Sequence, residues 1–330
     1  MSLGELLIPF VGPLLRRNGF SEEEIVVACC RTMNVRERLF LFFWQMAHDP
    51  IAQRMETRYN AVMDLPDRVA ERFGAELEFL QKSAGTLPVF PYAKIRMEMG
   101  DIKSGREEAN GLPFVCHGDK RLYFPKSWKV NNAEEAYRYF VETEGILGSG
   151  CLEKSPHSYV SDSFKVEKGD VVLDVGCSEG LFALDNVDLA GKVYLFETQK
   201  CWKTANDATF APFGDKVKVY NRFVGSQTNG KVIALEDAVK DEPDESTYFI
   251  KMDIEGGERL VITSSAEFFK KHKVKLACAA YHRQDDAEVL KARLEDMGFN
   301  VVFSDGYMLP DMNGSVFPYF RHGMIYARNY

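Results

Sequence analysis

The chain lacks an apolar run long enough to cross a membrane, which argues against a membrane-spanning protein. It lacks a C-x-x-C pair, so no zinc site is expected. Its seven cysteines are scattered through 330 residues, with only Cys29 and Cys30 adjacent. They form no disulfide framework and read as reduced thiols of a cytoplasmic protein. A surplus of positive charge is also missing. With 41 basic against 49 acidic residues the formal net charge is −8, which argues against nucleic acid or an anionic membrane as the main partner. The apolar start Leu6–Val11 follows Glu5 and has neither a basic leader nor a small-residue cleavage site. It reads as a docking helix or arm, not a signal peptide. No internal repeat or low-complexity tract is visible.

What is present is organised around Val171-Val172-Leu173-Asp174-Val175-Gly176-Cys177-Ser178-Glu179-Gly180. Its apolar run predicts a buried parallel strand. The two glycines predict a tight turn that a ligand approaches closely, and Leu181–Leu184 opens a helix. Asp174 falls at the strand's C-terminal end, where open α/β sheets bind ligands. A dinucleotide is not expected. Its fingerprint needs a third glycine, and Glu179 would repel a pyrophosphate. The pattern Asp-x-Gly-x-x-x-Gly resembles motif I of class I S-adenosylmethionine (SAM) methyltransferases, whose loop packs on a ligand without phosphate. A second apolar run, Val193–Phe196, ends in Glu197, just over twenty residues after Asp174. That offset places a carboxylate where a ribose diol can donate to it.

Before this core, residues 1 to about 110 read as helical. Ser21 to Glu24 forms a capping box. Further helices are expected over Val35–His48, Ile51–Met63 and Asp67–Lys82, with breaks at Asp49-Pro50 and Leu65-Pro66. Leu112–Cys116 and Lys120–Phe124 flank Gly118-Asp119 as a hairpin, and a helix runs from Asn132 to about Ile146. Gly148-Ser149-Gly150 is a candidate boundary. It divides a mainly helical accessory region, 1–150, from a catalytic domain, 151–330.

From Val171 onward strands and helices alternate, so a mostly parallel sheet with helices on both faces is expected. Its further strands are Val217–Tyr220, Tyr248–Met252, Val274–Tyr281, Phe299–Phe303 and Tyr319–Ala327, the last two as a terminal hairpin. Lys231–Ala234 is expected as an extra edge strand. Gly298 is expected to cap the helix Glu288–Met297.

Ile250-Lys251-Met252-Asp253-Ile254-Glu255-Gly256-Gly257-Glu258 resembles the Ile-Lys-x-Asp-x-Glu-Gly-x-Glu block of FkbM-type methyltransferases. Val217–Gly225 is similar to the family's Val-x-Leu-x-Asn-x-x-Leu-Gly segment, and Leu235-Glu236-Asp237 to its Leu-Asp-Asp element. The resemblance covers about residues 155 to 330. Thr198 stands where the family often has proline, and Cys177-Ser178 where it often has Ala-Asn. The resemblance implies a seven-stranded Rossmann-like sheet and SAM-dependent O-methylation of a sugar-like or polyketide-like hydroxyl. The acceptor would be a small molecule or glycan.

The cofactor-binding candidates are Asp174, Gly176, Cys177, Ser178, Gly180, Glu197, Thr198 and Asp253. The catalytic candidates are Asp253, His282 and Lys251. Alternation along the strand places Lys251, Asp253 and Glu255 on one side, given a strand that extends that far. His282, at the tip of the next strand, has an ordinary pKa near neutrality. It is expected as base, with Asp253 orienting it or acting as base itself. Lys251 is otherwise a salt-bridge partner of Glu255 or Glu258. Asp253, Glu255 and His282 have the chemistry to hold a divalent ion, but nothing in the sequence demands one and no metal is expected. His157, Tyr159 and Trp202 are placed to close over the pocket, with Trp202 beside the adenine. A non-catalytic SAM-binding module and an N-methyltransferase are the alternatives. The N-terminal helices offer a surface for a homodimer.

Overall fold

The computed structural model describes residues 70–82, 102–141, 156–309, 317 and 319–330. The helices expected before residue 64 and the glycine break at 148–150 lie outside them. The helix expected over 67–82 is observed as α1, Gly74–Lys82, after a 3-10 turn at Glu71–Phe73. Among the described residues no helix is long and apolar enough to cross a membrane.

The expected hairpin is β2 (Pro113–His117) and β3 (Lys120–Tyr123), closed by Gly118 at φ 63°. The region read as helical also contributes β1, Ser104–Arg106, which pairs antiparallel with β2. Helix α2, Val130–Tyr139, follows.

The larger sheet is built from β4 (Val171–Val175), β5 (Lys192–Phe196), β6 (Val217–Tyr220), β9 (Thr247–Met252), β10 (Lys273–Ala279), β11 (Asn300–Phe303) and β12 (Met324–Arg328). Their spatial order is β11-β12-β10-β9-β4-β5-β6. Only β12 among these runs against its neighbours. Every residue of β4 is buried, as a strand covered on both faces requires. Successive residues feed opposite cores. Val172 joins Phe182, Leu195 and Phe249 on one face, while Val171, Leu173 and Val175 join Ile250 and Leu276 on the other.

The helices that cover it are α3 (Leu181–Asn186), α4 (Lys200–Phe210), α5 (Leu235–Ala238), α6 (Glu258–Ser264), α7 (Ala266–Lys271) and α8 (Asp286–Asp296). Gly298, at φ 87°, follows α8 as a left-handed cap. Val115, Leu122, Phe124, Ala133 and Tyr137 share the first core with the sheet. Described residues of 102–141, expected with the accessory region, therefore pack against the large sheet.

Lys231–Ala234 does not extend the large sheet. Its middle residues form β8 (Val232–Ile233), parallel to β7 (Phe223–Val224), in a separate two-stranded sheet. Phe223 N donates to Lys231 O at 2.9 Å and Gly225 N to Ile233 O at 3.0 Å. The loop folds the segment onto the chain leaving β6 before it can reach the edge.

Candidate active site

The strand sequence reverses between β4 and β9, the position at which an open parallel sheet leaves a crevice at its carboxyl ends. Asp174 and Lys251 are register partners across these strands. Both side chains are buried, and Lys251 Nζ lies 3.2 Å from Asp174 Oδ1. The ammonium also donates to Gly176 O at 2.5 Å. Burial alone would lower the Lys251 pKa, but Asp174 and Asp253 hold it above its ordinary value. Burial likewise raises the Asp174 carboxyl, with Lys251 opposing.

Gly176 sits at φ 78°, and a Cβ there would lie 2.0 Å from the Asp253 carbonyl oxygen. Only glycine lets the loop pass this close to the neighbouring strand end. Two non-glycine residues nearby, Ser178 (φ 46°) and Glu255 (φ 55°), also adopt left-handed backbone. Such conformations cost energy and persist where the surroundings hold them, commonly at functional sites. Ser178 N donates to Glu197 Oε2 at 3.0 Å, and Gln199 N to Oε1 at 2.6 Å. Each carboxylate oxygen keeps lone-pair capacity for a further donor.

A cavity of about 710 Å³ opens at this crevice, lined by Gly176, Ser178, Glu197, Thr198, Phe223 and Asp253 among others. A smaller cavity of about 190 Å³ is lined by Tyr159, Cys177, Glu179, Lys251, Asp253 and Tyr281 among others. Gly176, Ser178, Asp253 and Glu255 line both.

Asp253, just past the end of β9, is the hub. Tyr159 OH donates to its Oδ2 at 2.8 Å and Tyr281 OH at 3.2 Å, and His157 Nε2 lies 3.2 Å away. His282 Nε2 is 3.3 Å from Oδ1. Burial would raise this carboxyl, but His157, His282 and Lys251 together hold it well below the ordinary carboxylate range. Glu179 is the counter-case. Burial raises its carboxyl to about 7, and Lys251 only partly offsets this.

Most of the expected residues meet here, but several change role. Asp174 and Gly180 line neither cavity. Asp174 anchors Lys251, and Gly180 (φ 83°) makes room for Phe210, whose ring a Cβ would meet at 2.8 Å. Cys177 is buried beside the smaller cavity only, and burial pushes its thiol up. Trp202 does not reach the crevice. It packs on Trp128 and Phe124, with ring centroids 5.4 and 6.2 Å away.

His282 is the main correction. It lines neither cavity and stands behind Asp253. Burial would lower its imidazole, but the carboxylates of Glu258, Asp253 and Glu255 raise it to about 9. A ring already protonated at neutral pH takes no proton from a substrate. The unforeseen member is Tyr281, which donates to Asp253 from the turn after β10. Its place beside His282 in sequence was the available signal.

The strand order, with one reversed strand and a carboxylate-rich crevice at the switch point, defines a class I methyltransferase fold. Residues 155–301 match the methyltransferase FkbM domain. The family implies SAM as cofactor. No curated protein matches the chain. Among solved structures, methyltransferase FkbM from Methylobacillus flagellatus KT aligns with a TM-score of 0.39 and 21% identity, over 51% of this chain and 45% of that one. The aligned region is thus under half the length of that protein. Precorrin-6y C5,15-methyltransferase from Geobacter metallireducens GS-15 aligns with a TM-score of 0.34 and 16% identity, over 50% of this chain and 81% of that one.

Proposed function

We propose that this protein is a SAM-dependent O-methyltransferase acting on a hydroxyl of a small molecule or glycan. The observation that carries the reading is Asp253, one carboxylate shared by a cofactor-sized cavity and a smaller polar one. The residues fit the cofactor. The larger cavity has the volume of a small-molecule site. Its lining carboxylates Glu197, Asp253 and Glu255 suit a cationic sulfonium by charge. Glu197 would take the ribose hydroxyls, while Gly176, Ser178 and Thr198 would line the cofactor.

When bound, SAM supplies an electrophilic methyl group. Asp253 then holds the acceptor hydroxyl in line and receives its proton. Its low pKa is no obstacle, because an alcohol oxygen becomes strongly acidic as it gains a carbon bond and needs only a weak base late in the step. Tyr159, Tyr281 and His157 fix the carboxylate's orientation. Lys251, tied to Asp174 and Gly176, holds the glycine loop.

The test is calorimetric titration with S-adenosylhomocysteine beside NADH, on wild type and Glu197→Ala, followed by mass-spectrometric screening of sugar and glycan acceptors. Binding of the homocysteine compound alone, weakened by the substitution, is expected. Methylated product should be lost in Asp253→Asn. Binding of NADH instead, or of neither, overturns the cofactor assignment. Product methylated on nitrogen overturns the hydroxyl.

A further inference from the structure

Behind Asp253 the turn Ile254–Gly257 brings three carboxylates onto one histidine. His282 Nε2 lies 3.3 Å from Asp253 Oδ1 and 3.5 Å from Glu255 Oε2, and Nδ1 lies 3.1 Å from Glu258 Oε1. Ligand atoms of Asp253, Glu258 and His282 all fall within 4.8 Å of one another. Methyl transfer as derived above uses neither His282 nor Glu258.

A second observation sets this cluster apart from a surface group of acids. His282 and Glu258 are 4% and 0% exposed at their side chains. Neither ring nitrogen of His282 makes a hydrogen bond of acceptable geometry among the described residues, and Glu258 Oε2 has no partner either. Buried polar atoms left this way are costly. The nearby cations are engaged elsewhere. Lys251 is held by Asp174 and the Gly176 carbonyl, and Arg283 donates to the Gly256 carbonyl.

We infer that Asp253, Glu255 and His282 bind one divalent cation of the magnesium or manganese type, the ion displacing to solvent the proton that the three carboxylates otherwise hold on the ring, with Glu258 orienting the imidazole. Adjacent ligands of an octahedral ion at about 2.1 Å stand about 3 Å apart, near the spacings of His282 Nε2 to Asp253 and Glu255. Glu258 has the role that carboxylates take behind metal-bound histidines. Its Oε1 is anchored by Ile254 N–H at 2.8 Å and faces Nδ1, leaving Nε2 for the ion. Carboxylate oxygens suit magnesium and manganese, the imidazole tips the choice toward manganese as a transition ion, and no thiolate is offered to a soft metal. Asp253 and Glu255 line both cavities, so the ion borders the place where an acceptor would lie. On the methyl-transfer reading, open coordination positions there would favour acceptors offering two neighbouring oxygens.

The test uses the full chain, stripped of metal by a chelator and titrated with Mn²⁺ alone, with free ion read by electron paramagnetic resonance. One ion per chain, saturating below the millimolar range, is expected. His282→Gln and Glu255→Gln should each weaken it about tenfold or more, and Glu258→Gln about tenfold through the imidazole. Glu255 is 85% exposed at its side chain, so its substitution does not threaten folding if the buried ones do. Absence of saturable binding in wild type, or binding untouched by Glu255→Gln and His282→Gln, overturns the site. Titration of the same preparations with S-adenosylhomocysteine separates the two readings. Cofactor binding without Mn²⁺ removes the ion alone, and Mn²⁺ binding without cofactor leaves the ion and removes methyl transfer.

Discussion

Lys251 and Asp174 form a buried pair, 3.2 Å apart across the two central strands, and the same ammonium holds the Gly176 carbonyl. The pair fastens the glycine loop to the strand that carries Asp253. Lys251→Met would leave Asp174 as an uncompensated charge. Breaking such a pair from one side costs about 3–5 kcal/mol, whereas replacing both members is often neutral. Urea unfolding of Lys251→Met should show that loss, and Asp174→Leu/Lys251→Met should recover most of it. Equal stability of single and double variants would refute the pairing.

Gly176 and Gly180 both have positive φ, yet they should respond differently to substitution. A Cβ at Gly176 meets backbone, the Asp253 carbonyl oxygen at 2.0 Å, while one at Gly180 first meets the Phe210 ring at 2.8 Å. Gly176→Ala should therefore displace Asp253 and abolish S-adenosylhomocysteine binding in calorimetry. Gly180→Ala should cost about 1–3 kcal/mol of stability and retain measurable binding. The opposite order would mean the loop does not rest on β9.

Glu179 predicts a pH dependence. Its carboxyl stands near 7 in the folded chain against about 4.3 when unfolded. Between those values the folded state holds the extra proton, so this residue's contribution to stability falls as pH rises from about 4 through 7. The loss should approach about 3 kcal/mol by pH 8. Urea midpoints of wild type and Glu179→Gln should diverge over this window, the variant gaining on wild type. Parallel curves would show that Glu179 is already ionised in the fold.

Tyr159 tests the Asp253 hub. Its hydroxyl donates to Oδ2 at 2.8 Å, and its ring packs against Phe182. Tyr159→Phe keeps the packing and removes one bond to a charged group, a difference of about 1.5–3 kcal/mol. Turnover with an acceptor from the screen should fall about tenfold or more, with S-adenosylhomocysteine affinity within about twofold. An equal loss in both would place Tyr159 in the cofactor pocket.

The sheet was legible because buried parallel strands are written as short apolar runs. Val171–Val175, Lys192–Phe196 and Thr247–Met252 stand within a residue of their expected bounds. Gly176, Glu197 and Asp253 were legible from spacing, because each lies at a strand's carboxyl end. What spacing does not carry is convergence across distant segments. Tyr159 and His157 were expected over the pocket from their place before the first strand, but their contacts with Asp253, 94 and 96 residues away, follow from no periodic pattern. β1 was missed because Ser104-Gly105-Arg106 has no apolar residue and is a strand only through its pairing with β2. His282 was placed correctly beside Asp253, but its proton affinity depends on Glu258, the first residue of the helix that follows β9.

The shared core beneath the hairpin constrains how this protein can be taken apart. The family match begins at residue 155, yet Val115, Leu122 and Phe124 cover the same apolar layer as Leu181, Phe182 and Trp202. A fragment started at the match boundary would carry an uncovered greasy face and should self-associate. Chimaeras that aim to transplant acceptor preference should therefore splice upstream of residue 102, keeping the hairpin with its sheet.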